Sequence, residues 1–333
     1  MICSMKLHIM KGDFNMNKKW NTPLIKIHYE YNGKKDYFYT KLEYYNLTGS
    51  IKDRVAYYMI IKAKERGDLK EGMPLIEATS GNIGISVAAL GAYYGHPTYI
   101  FMPDWVSQER LKILKMFNAN VTLYSKEDGG FLRCIEEAKK LAKEMNGYFT
   151  NQFANHDNVL AHYETTGEEL VKRLNEEIGG FVSGIGTGGT LMGVSKRLKE
   201  IYPDMITVAL EPDKAPMLTQ NKVIEQHAIE GIGDDFIPDI VDKNMIDDVI
   251  LVDDNDAINM ARITAKKLGL GIGISSGANI IAAVLLGDKI GKRVATVFAD
   301  DNKKYLSTNL SNPIDDDEGF ISNKIKLLEY EEC

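Results

Sequence analysis

The chain has 333 residues, of which 44% are hydrophobic, so it can bury a large core in one large or two medium domains. The net charge is −7 and no Lys/Arg tract is interleaved with aromatic residues, which argues against nucleic-acid binding. The three cysteines are scattered and fit neither a disulfide framework nor a metal site, which favours a reducing compartment. We find no signal-peptide pattern and no apolar run long enough to span a bilayer, so we expect a cytoplasmic protein.

Predicted strands and helices alternate along the chain. The first strands are predicted at Pro74–Glu77, Thr98–Met102, Asn120–Tyr124 and Tyr148–Thr150. The helices between them are predicted at Ile83–Tyr94, Gln108–Phe117 and Gly130–Met145. After His156 the pattern recurs, with strands predicted at Gly179–Val182, Ile206–Leu210, Val249–Val252 and Val294–Phe298.

This alternation is typical of α/β folds with mostly parallel sheets flanked by helices. Two such runs predict two lobes, a smaller one over residues 46–157 and a larger one over residues 17–45 and 158–312. Residues 313–333 would form a tail whose position the sequence does not decide. Ligands in such folds bind beyond the carboxyl ends of the strands, so the loops there are the candidate functional sites.

The first candidate site is Asn46–Arg54, NLTGSIKDR, where Thr48 and Ser50 are favourable N-caps. Lys52 lies one helical turn before Ala56, on the apolar face and near the positive end of the helix dipole. Both placements lower the pKa of its amine. A neutral amine can attack an aldehyde, so Lys52 is a candidate Schiff-base lysine. The alternative is an ordinary helix lysine whose ammonium reaches water.

Two glycine-rich loops follow predicted strands. Glu77–Gly84, EATSGNIG, offers backbone N–H groups at a helix N-terminus, where a carboxylate would bind; the alternative is a capping turn. Ser183–Thr190, SGIGTGGT, contains GxGxxG, and Glu211 follows about 20 residues on, which matches the dinucleotide fingerprint of a dehydrogenase. Its small residues and the hydroxyls of Thr187 and Thr190 can also surround a terminal phosphate on several sides, which a dinucleotide does not require; the remaining alternative is a structural turn.

A fourth loop, Gly271–Asn279, reads GIGISSGAN, and Ser275 or Ser276 could offer a hydroxyl to a ring nitrogen or cap a helix.

Four motifs occur together in the chain in this order: GSIKDR, ATSGN, GTGGT and ISSGA. The set resembles the cysteine synthase and cystathionine β-synthase family of pyridoxal-phosphate (PLP) enzymes, from about Asn21 to Thr308. The resemblance implies a tryptophan-synthase-β-like fold (fold type II), a homodimer, PLP as cofactor, no metal, and β-replacement on small amino acids through an aminoacrylate.

The resemblance also implies a role for each matching residue. Lys52 would form the internal aldimine with PLP and move the α-proton, Asn82 would hold the phenolic oxygen, and Ser275 would face the pyridine nitrogen. A serine partner leaves the ring a weaker electron sink, which favours β-elimination. The substrate carboxylate would be bound in the smaller lobe by Thr79, Ser80, Gly81, Asn82 and Gln152. The phosphate would be cradled in the larger lobe by Gly186, Thr187, Gly188, Gly189 and Thr190.

Two positions depart from the family pattern. Ile83 replaces a threonine of TSGNTG, and Asp234, beside Asp235 in GIGDDFIP, replaces a small or aromatic residue. This segment borders the substrate entrance in relatives, so both aspartates are expected to contact substrate. A carboxylate repels hydrosulfide but can deprotonate water. We therefore predict that Asp234 activates water, so that L-cysteine gives L-serine and hydrogen sulfide, reversibly. The alternative for the two aspartates is a solvated pair in a loop.

Several other functions are compatible with parts of this pattern. Within the family the alternatives are O-acetylserine sulfhydrylase and a cystathionine- or lanthionine-forming β-synthase. A serine/threonine dehydratase would release a keto acid instead of an amino acid. A PLP-fold protein without catalysis is disfavoured because Lys52 and the phosphate loop are intact. A dehydrogenase stays possible only through GxGxxG, which is a weak motif by itself.

Overall fold

The structure, a computed structural model, describes residues 20–312 and 319–333. Residues 17–19 of the predicted larger lobe and 313–318 of the predicted tail lie outside the described residues. The strands are β1 (Leu24–Tyr31), β2 (Lys34–Leu42), β3 (Leu75–Ala78), β4 (Thr98–Pro103), β5 (Asn120–Tyr124), β6 (Tyr148–Phe149), β7 (Gly180–Gly184), β8 (Ile206–Pro212), β9 (Asp248–Val252), β10 (Val294–Phe298) and β11 (Lys326–Glu332).

The helices alternate with these strands over most of the chain. They are α1 (Lys52–Arg66), α2 (Asn82–Tyr94), α3 (Gln108–Met116), α4 (Gly130–Glu144), α5 (Asp157–Ala161), α6 (Glu168–Arg173), α7 (Gly189–Lys199), α8 (Met217–Gln220), α9 (Asp254–Leu268) and α10 (Ile274–Ile290). A π-helical turn, His162–Gly167, joins α5 to α6. None of the helices in the described part of the chain is long and apolar enough to cross a membrane.

The strands form two sheets. The four-stranded sheet has the order β5-β4-β3-β6, with every pair parallel. The seven-stranded sheet has the order β11-β1-β2-β10-β7-β8-β9, in which β2, β10, β7, β8 and β9 run parallel. Strand β1 pairs antiparallel with both β2 and β11. The predicted α/β class with mostly parallel sheets is confirmed; the lobe boundaries stay a prediction.

The predicted strands lie within two residues of observed ones, because short apolar runs between turns mark buried parallel strands clearly. The hairpin of β1 and β2 was missed. Its turn is Asn32-Gly33, with φ of 51° and 74°, and an Asn-Gly turn between strands is a strong hairpin signal. Strand β11 was also missed; it places residues 326–332 of the predicted tail at the edge of the larger sheet.

Four charged side chains buried together connect α1 to the larger sheet. They belong to Lys41, Glu43, Arg54 and Glu169. Arg54 donates from Nε and Nη2 to the two Glu43 oxygens, at 2.7 and 2.9 Å, and also pairs with Glu169. Burial alone would raise the pKa of Glu43, but Arg54 and Lys41 hold it at about 2. Because Arg54 follows Lys52 by two residues, this cluster fixes the rotation of the helix that carries Lys52.

Replacing Arg54 by alanine would leave Glu43 and Glu169 buried without their guanidinium partner. We expect Arg54→Ala to lower the free energy of unfolding by about 3–5 kcal/mol, measured by urea titration. Arg66→Ala is the matched control, since Arg66 lies on the same helix, is 46% exposed and pairs with Asp157. It should cost less than about 1 kcal/mol. Equal losses in the two variants would contradict a special role for the buried cluster.

Candidate active site

A cavity lies where loops from both sheets meet, and polar side chains and small residues of these loops line it. Such a concave site with converging polar groups is typical of a cofactor or small-molecule site. Two of the predicted site residues are not part of its lining: Gly189, the first residue of α7, and Asp235, which lines an adjoining cavity. The predicted residues that do line it are Lys52, Thr79, Ser80, Gly81, Asn82, Gln152, Gly186, Thr187, Gly188, Thr190, Asp234 and Ser275.

Lys52 is the first residue of α1, and the predicted capping of this helix is wrong. Ile51 occupies the N-cap and makes no side-chain cap bond. Ser50 accepts only a long bond from the Lys52 backbone N–H, at 3.3 Å. Thr48 instead donates its N–H and its hydroxyl to Asp53, at 2.7 and 2.6 Å. The start of α1 is therefore stabilised by Asp53, a residue of its first turn, which accepts both hydrogen bonds from Thr48 in the loop before the helix.

Lys52 is half-buried and lies among charged groups of both signs. Burial lowers the pKa of its amine; Asp300 and Asp234 oppose this, and Lys304 adds to it. Within residues 20–312 and 319–333, no carboxylate lies within salt-bridge distance of its Nζ. The amine is therefore closer to its neutral form than a surface lysine, which suits attack on an aldehyde.

The loop between β7 and α7 forms a cradle of small residues. Gly188 is the N-cap at φ 85°, and the first N–H of the helix, that of Gly189, makes only a long 3.4 Å bond to the Thr187 hydroxyl, so the positive end of α7 can bind an anion. A Cβ on Gly186 would lie 2.3 Å from the Gly231 carbonyl oxygen, so only glycine fits there. The hydroxyls of Thr187 and Thr190 complete a set of donors that suits the terminal phosphate of PLP.

Two residues that sequence reasoning did not assign hold this loop from behind. Asn158 donates from Nδ2 to the Thr187 hydroxyl at 2.9 Å. His162 has its Nε2 3.2 Å from the Thr190 hydroxyl. Burial, with Lys52 nearby, lowers the pKa of His162 to about 3, so the ring is neutral near pH 7. His162 and Thr190 are 28 residues apart in the chain, so only the fold brings them together.

The structure also resolves two alternatives that the sequence left open. Ser276 is fully buried and accepts from the Ala299 N–H at 3.1 Å, whereas Ser275 lines the cavity. Ser275 is thus the hydroxyl available to a ligand.

Glu211, the acidic partner required by the dinucleotide hypothesis, is buried in β8 and accepts from the Leu218 N–H at 2.7 Å. It is already engaged in holding the start of α8.

Asp234 stands where the main cavity meets the adjoining one, and it is half-buried. Burial and the neighbouring Asp235 raise the pKa of Asp234 to about 7, against the opposing effect of Lys52. Glu230 lines both cavities too and pairs with Arg110. Asp234 and Asp235 therefore line the opening, while the charge of Glu230 is balanced by Arg110.

The chain belongs to the family of pyridoxal-phosphate dependent enzymes, whose sequence pattern matches residues 16–300. It is therefore PLP-dependent, and the lysine and the phosphate cradle described above fit that cofactor. No group of His, Cys, Asp or Glu side chains suited to a metal ion occurs among the described residues.

Within this family the chain is similar to cysteine synthases and hydrogen sulfide-producing enzymes. A cysteine synthase of Staphylococcus aureus is 40% identical over 293 residues, which cover 87% of this chain and 94% of that one. A cysteine synthase of Entamoeba histolytica is 34% identical, with a TM-score of 0.84 and 97% of each chain covered. These relatives confirm the resemblance to the cysteine synthase and cystathionine β-synthase family and exclude the dehydrogenase alternative.

A hydrogen sulfide-producing enzyme of Fusobacterium nucleatum is 46% identical, with a TM-score of 0.91, covering 95% of this chain and 98% of that one. A second structure of that enzyme contains an aspartate-to-asparagine substitution and an α-aminoacrylate intermediate. It is 47% identical, with a TM-score of 0.91 and coverage of 94% and 96%. The chain is accordingly an enzyme of PLP-dependent β-replacement.

Borohydride reduction identifies the lysine that carries PLP. We expect peptide mapping of the reduced holoenzyme to find the cofactor on Lys52, because its amine lines the cavity and has a lowered pKa. Lys304 is the internal control: it is also buried with a lowered pKa, but it donates to the Gly49 carbonyl and to Asn82. Cofactor on Lys304, or a reducible cofactor in Lys52→Ala, would contradict the assignment.

Proposed function

We propose that the enzyme converts L-cysteine and water to L-serine and hydrogen sulfide, and catalyses the reverse reaction. The observation that carries this proposal is a half-buried carboxylate, Asp234, with a pKa near neutrality in the cavity that also contains Lys52. The Cβ–S bond breaks, a Cβ–O bond forms, and water supplies the hydroxyl of serine and a proton to the departing sulfur. The oxidation state does not change, so no further reactant is needed.

The substrate carboxylate would bind at the start of α2. Gly81 is the N-cap, and no side chain caps the helix, so its first N–H groups are free to bind an anion. The Gly81 N–H donates to the Thr79 hydroxyl at 2.9 Å, which orders the loop. Ile83, where relatives have threonine, is 1% exposed and packs in the apolar core. The loss of that hydroxyl therefore leaves the backbone donors in place.

Bound PLP would make the proton on the substrate's α-carbon more acidic, so that its removal allows the substituent on the β-carbon to leave. The chain supplies the proton transfers and the orientation. Lys52 Nζ would take the proton from the α-carbon, since it lines the cavity and has a lowered pKa. Ser275 would offer the ring nitrogen a neutral hydroxyl, which leaves the ring less electron-withdrawing than a carboxylic acid partner would.

Asp234 would bind a water molecule and remove its proton as the oxygen attacks the β-carbon. A carboxylate with a pKa of about 7 is strong enough as a base and still ionised in a large fraction of molecules near neutral pH. The carboxylate of Asp235 at the opening also disfavours the return of anionic hydrosulfide. The asparagine variant of the Fusobacterium relative, captured with a reaction intermediate, supports an aspartate in the step that consumes it.

Incubation of the purified holoenzyme with L-cysteine alone tests the proposal. We expect serine and sulfide to appear in equal amounts, because water is the only nucleophile supplied in excess. Pyruvate in place of serine would indicate simple elimination, and lanthionine would indicate a thiol nucleophile. Sulfide-dependent turnover of O-acetylserine without any serine from cysteine would favour a cysteine synthase, the function that the Staphylococcus relative supports.

Asp234→Asn should lower the rate of serine formation by about 100-fold or more, as expected for loss of a general base. Asp239→Asn is the matched control, because Asp239 is exposed in the same loop and lines none of the cavities described above. Its activity should equal that of the parent enzyme. Retention of serine formation in Asp234→Asn would remove Asp234 from the mechanism.

The pH profile provides a separate prediction. Only the ionised carboxylate accepts a proton, so kcat/KM for serine formation should rise with pH through about 7 and level off above it. Asp234→Asn should lose this rise, whereas Asp239→Asn should keep it. An unchanged profile in Asp234→Asn would show that another group is the base.

A further inference from the structure

Asn82, the first residue of α2, lies between a buried cation and a buried anion. Its Nδ2 donates to Asp300 Oδ2 at 2.7 Å, and its Oδ1 accepts from Lys304 Nζ at 2.9 Å. Both partners follow β10, more than 200 residues along the chain from Asn82. Asp300 is 1% exposed and Lys304 is 4% exposed, so water screens this arrangement little.

The two ends of a side-chain amide have nearly the same shape, so their partners decide which way the amide faces. An ammonium can only donate hydrogen bonds, and a carboxylate can only accept them. If the Asn82 amide were rotated by 180°, its NH2 group would face the Lys304 ammonium and its oxygen would face the Asp300 carboxylate. Both hydrogen bonds would then be lost. The pair therefore permits a single orientation of the amide.

Asp300 and Lys304 are themselves held in place. The Tyr305 hydroxyl donates to Asp300 Oδ2 at 2.7 Å, and the Arg110 guanidinium lies 4.9 Å from the centre of the Tyr305 ring. Lys304 Nζ also donates to the Gly49 carbonyl at 3.0 Å. Because these contacts hold Asp300 and Lys304 in place, the orientation of the Asn82 amide between them is fixed as well.

We propose that Asp300, together with Lys304, is a positioning residue that orients the Asn82 amide so that its N–H faces the cavity as a donor for the cofactor. In the part of the chain that the structure describes, Asp300 is the acceptor of one Nδ2 hydrogen, and the second hydrogen is free for a ligand. The proposal rests on Asn82 facing the phenolic oxygen of PLP, as the family resemblance implies. It does not depend on water being the nucleophile.

Asp300→Asn tests this proposal in the holoenzyme without substrate. The new amide has nearly the same size but can donate, so Asn82 is no longer confined to one orientation. We expect the visible absorption band of bound PLP to shift, and the dissociation constant for PLP to rise by about tenfold. Lys304→Gln removes the ammonium that donates to the other end of the Asn82 amide, and it should shift the band in the same direction. If circular dichroism shows that Asp300→Asn does not fold, Lys304→Gln is the variant that tests the proposal.

The matched control is Asp301→Asn, which removes a negative charge one residue further on. Asp301 pairs with Lys303 at 3.0 Å and caps a short 3-10 helix, and asparagine is an equally good cap. The absorption band of this variant should match that of the parent enzyme. An equal shift in Asp301→Asn would show a general charge effect and overturn the proposal.

A double-mutant cycle then asks whether Asp300 acts through the amide. In an Asn82→Ala background, Asp300→Asn should add no further shift of the band. A shift of the same size in both backgrounds would overturn the proposal, as would an unshifted band in Asp300→Asn alone. Because substrate is absent throughout, these outcomes are independent of whether L-cysteine yields L-serine.

Discussion

The active site depends on helix N-termini that converge on one cavity. Helices α1, α2, α7 and α10 begin with or beside residues that line it. Three of them, α1, α2 and α7, follow strands of the parallel sheets, which place the next helix start at the same edge of the sheet, whereas α10 follows α9. The free N–H groups of α2 and α7 suit a carboxylate and a phosphate respectively. These donors belong to the backbone, so they are placed by the fold and need no charged side chain.

The same convergence creates an electrostatic problem around Lys52. Positive helix ends and Lys304 disfavour its ammonium, while Asp234 and Asp300 favour it, and burial decides the balance towards the neutral amine. The two aspartates are placed differently: Asp234 is half-buried at the opening, whereas Asp300 is closed off behind Asn82. One carboxylate can therefore exchange protons with substrate and water, while the other holds the site in a single arrangement.

Much of the fold and of the site could be predicted from local sequence. Short apolar runs bounded by turns marked the parallel strands, and glycine-rich loops directly after two of them marked the sites around Asn82 and Thr187. Lys52 was singled out instead by its place on the apolar face at the start of a helix. Local patterns were less informative about detail. Thr48 was a plausible cap for α1, yet in the structure it donates to Asp53, because the favourable capping residues of a sequence do not specify which of them the backbone brings within reach.

By itself, the sequence determined the α/β class and the candidate loops, because these depend on contiguous residues whose spacing matches strands, turns and helix starts. The cofactor followed from the family resemblance that the motifs carry together. The tertiary structure alone decided the partners that adjust those residues. Asn82 meets Asp300 and Lys304 across 218 and 222 positions, and His162 meets Thr190 across 28. It also added β11 to the larger sheet and raised the pKa of Asp234. Burial and long-range contacts set these properties, and neither is encoded in any short stretch of the chain.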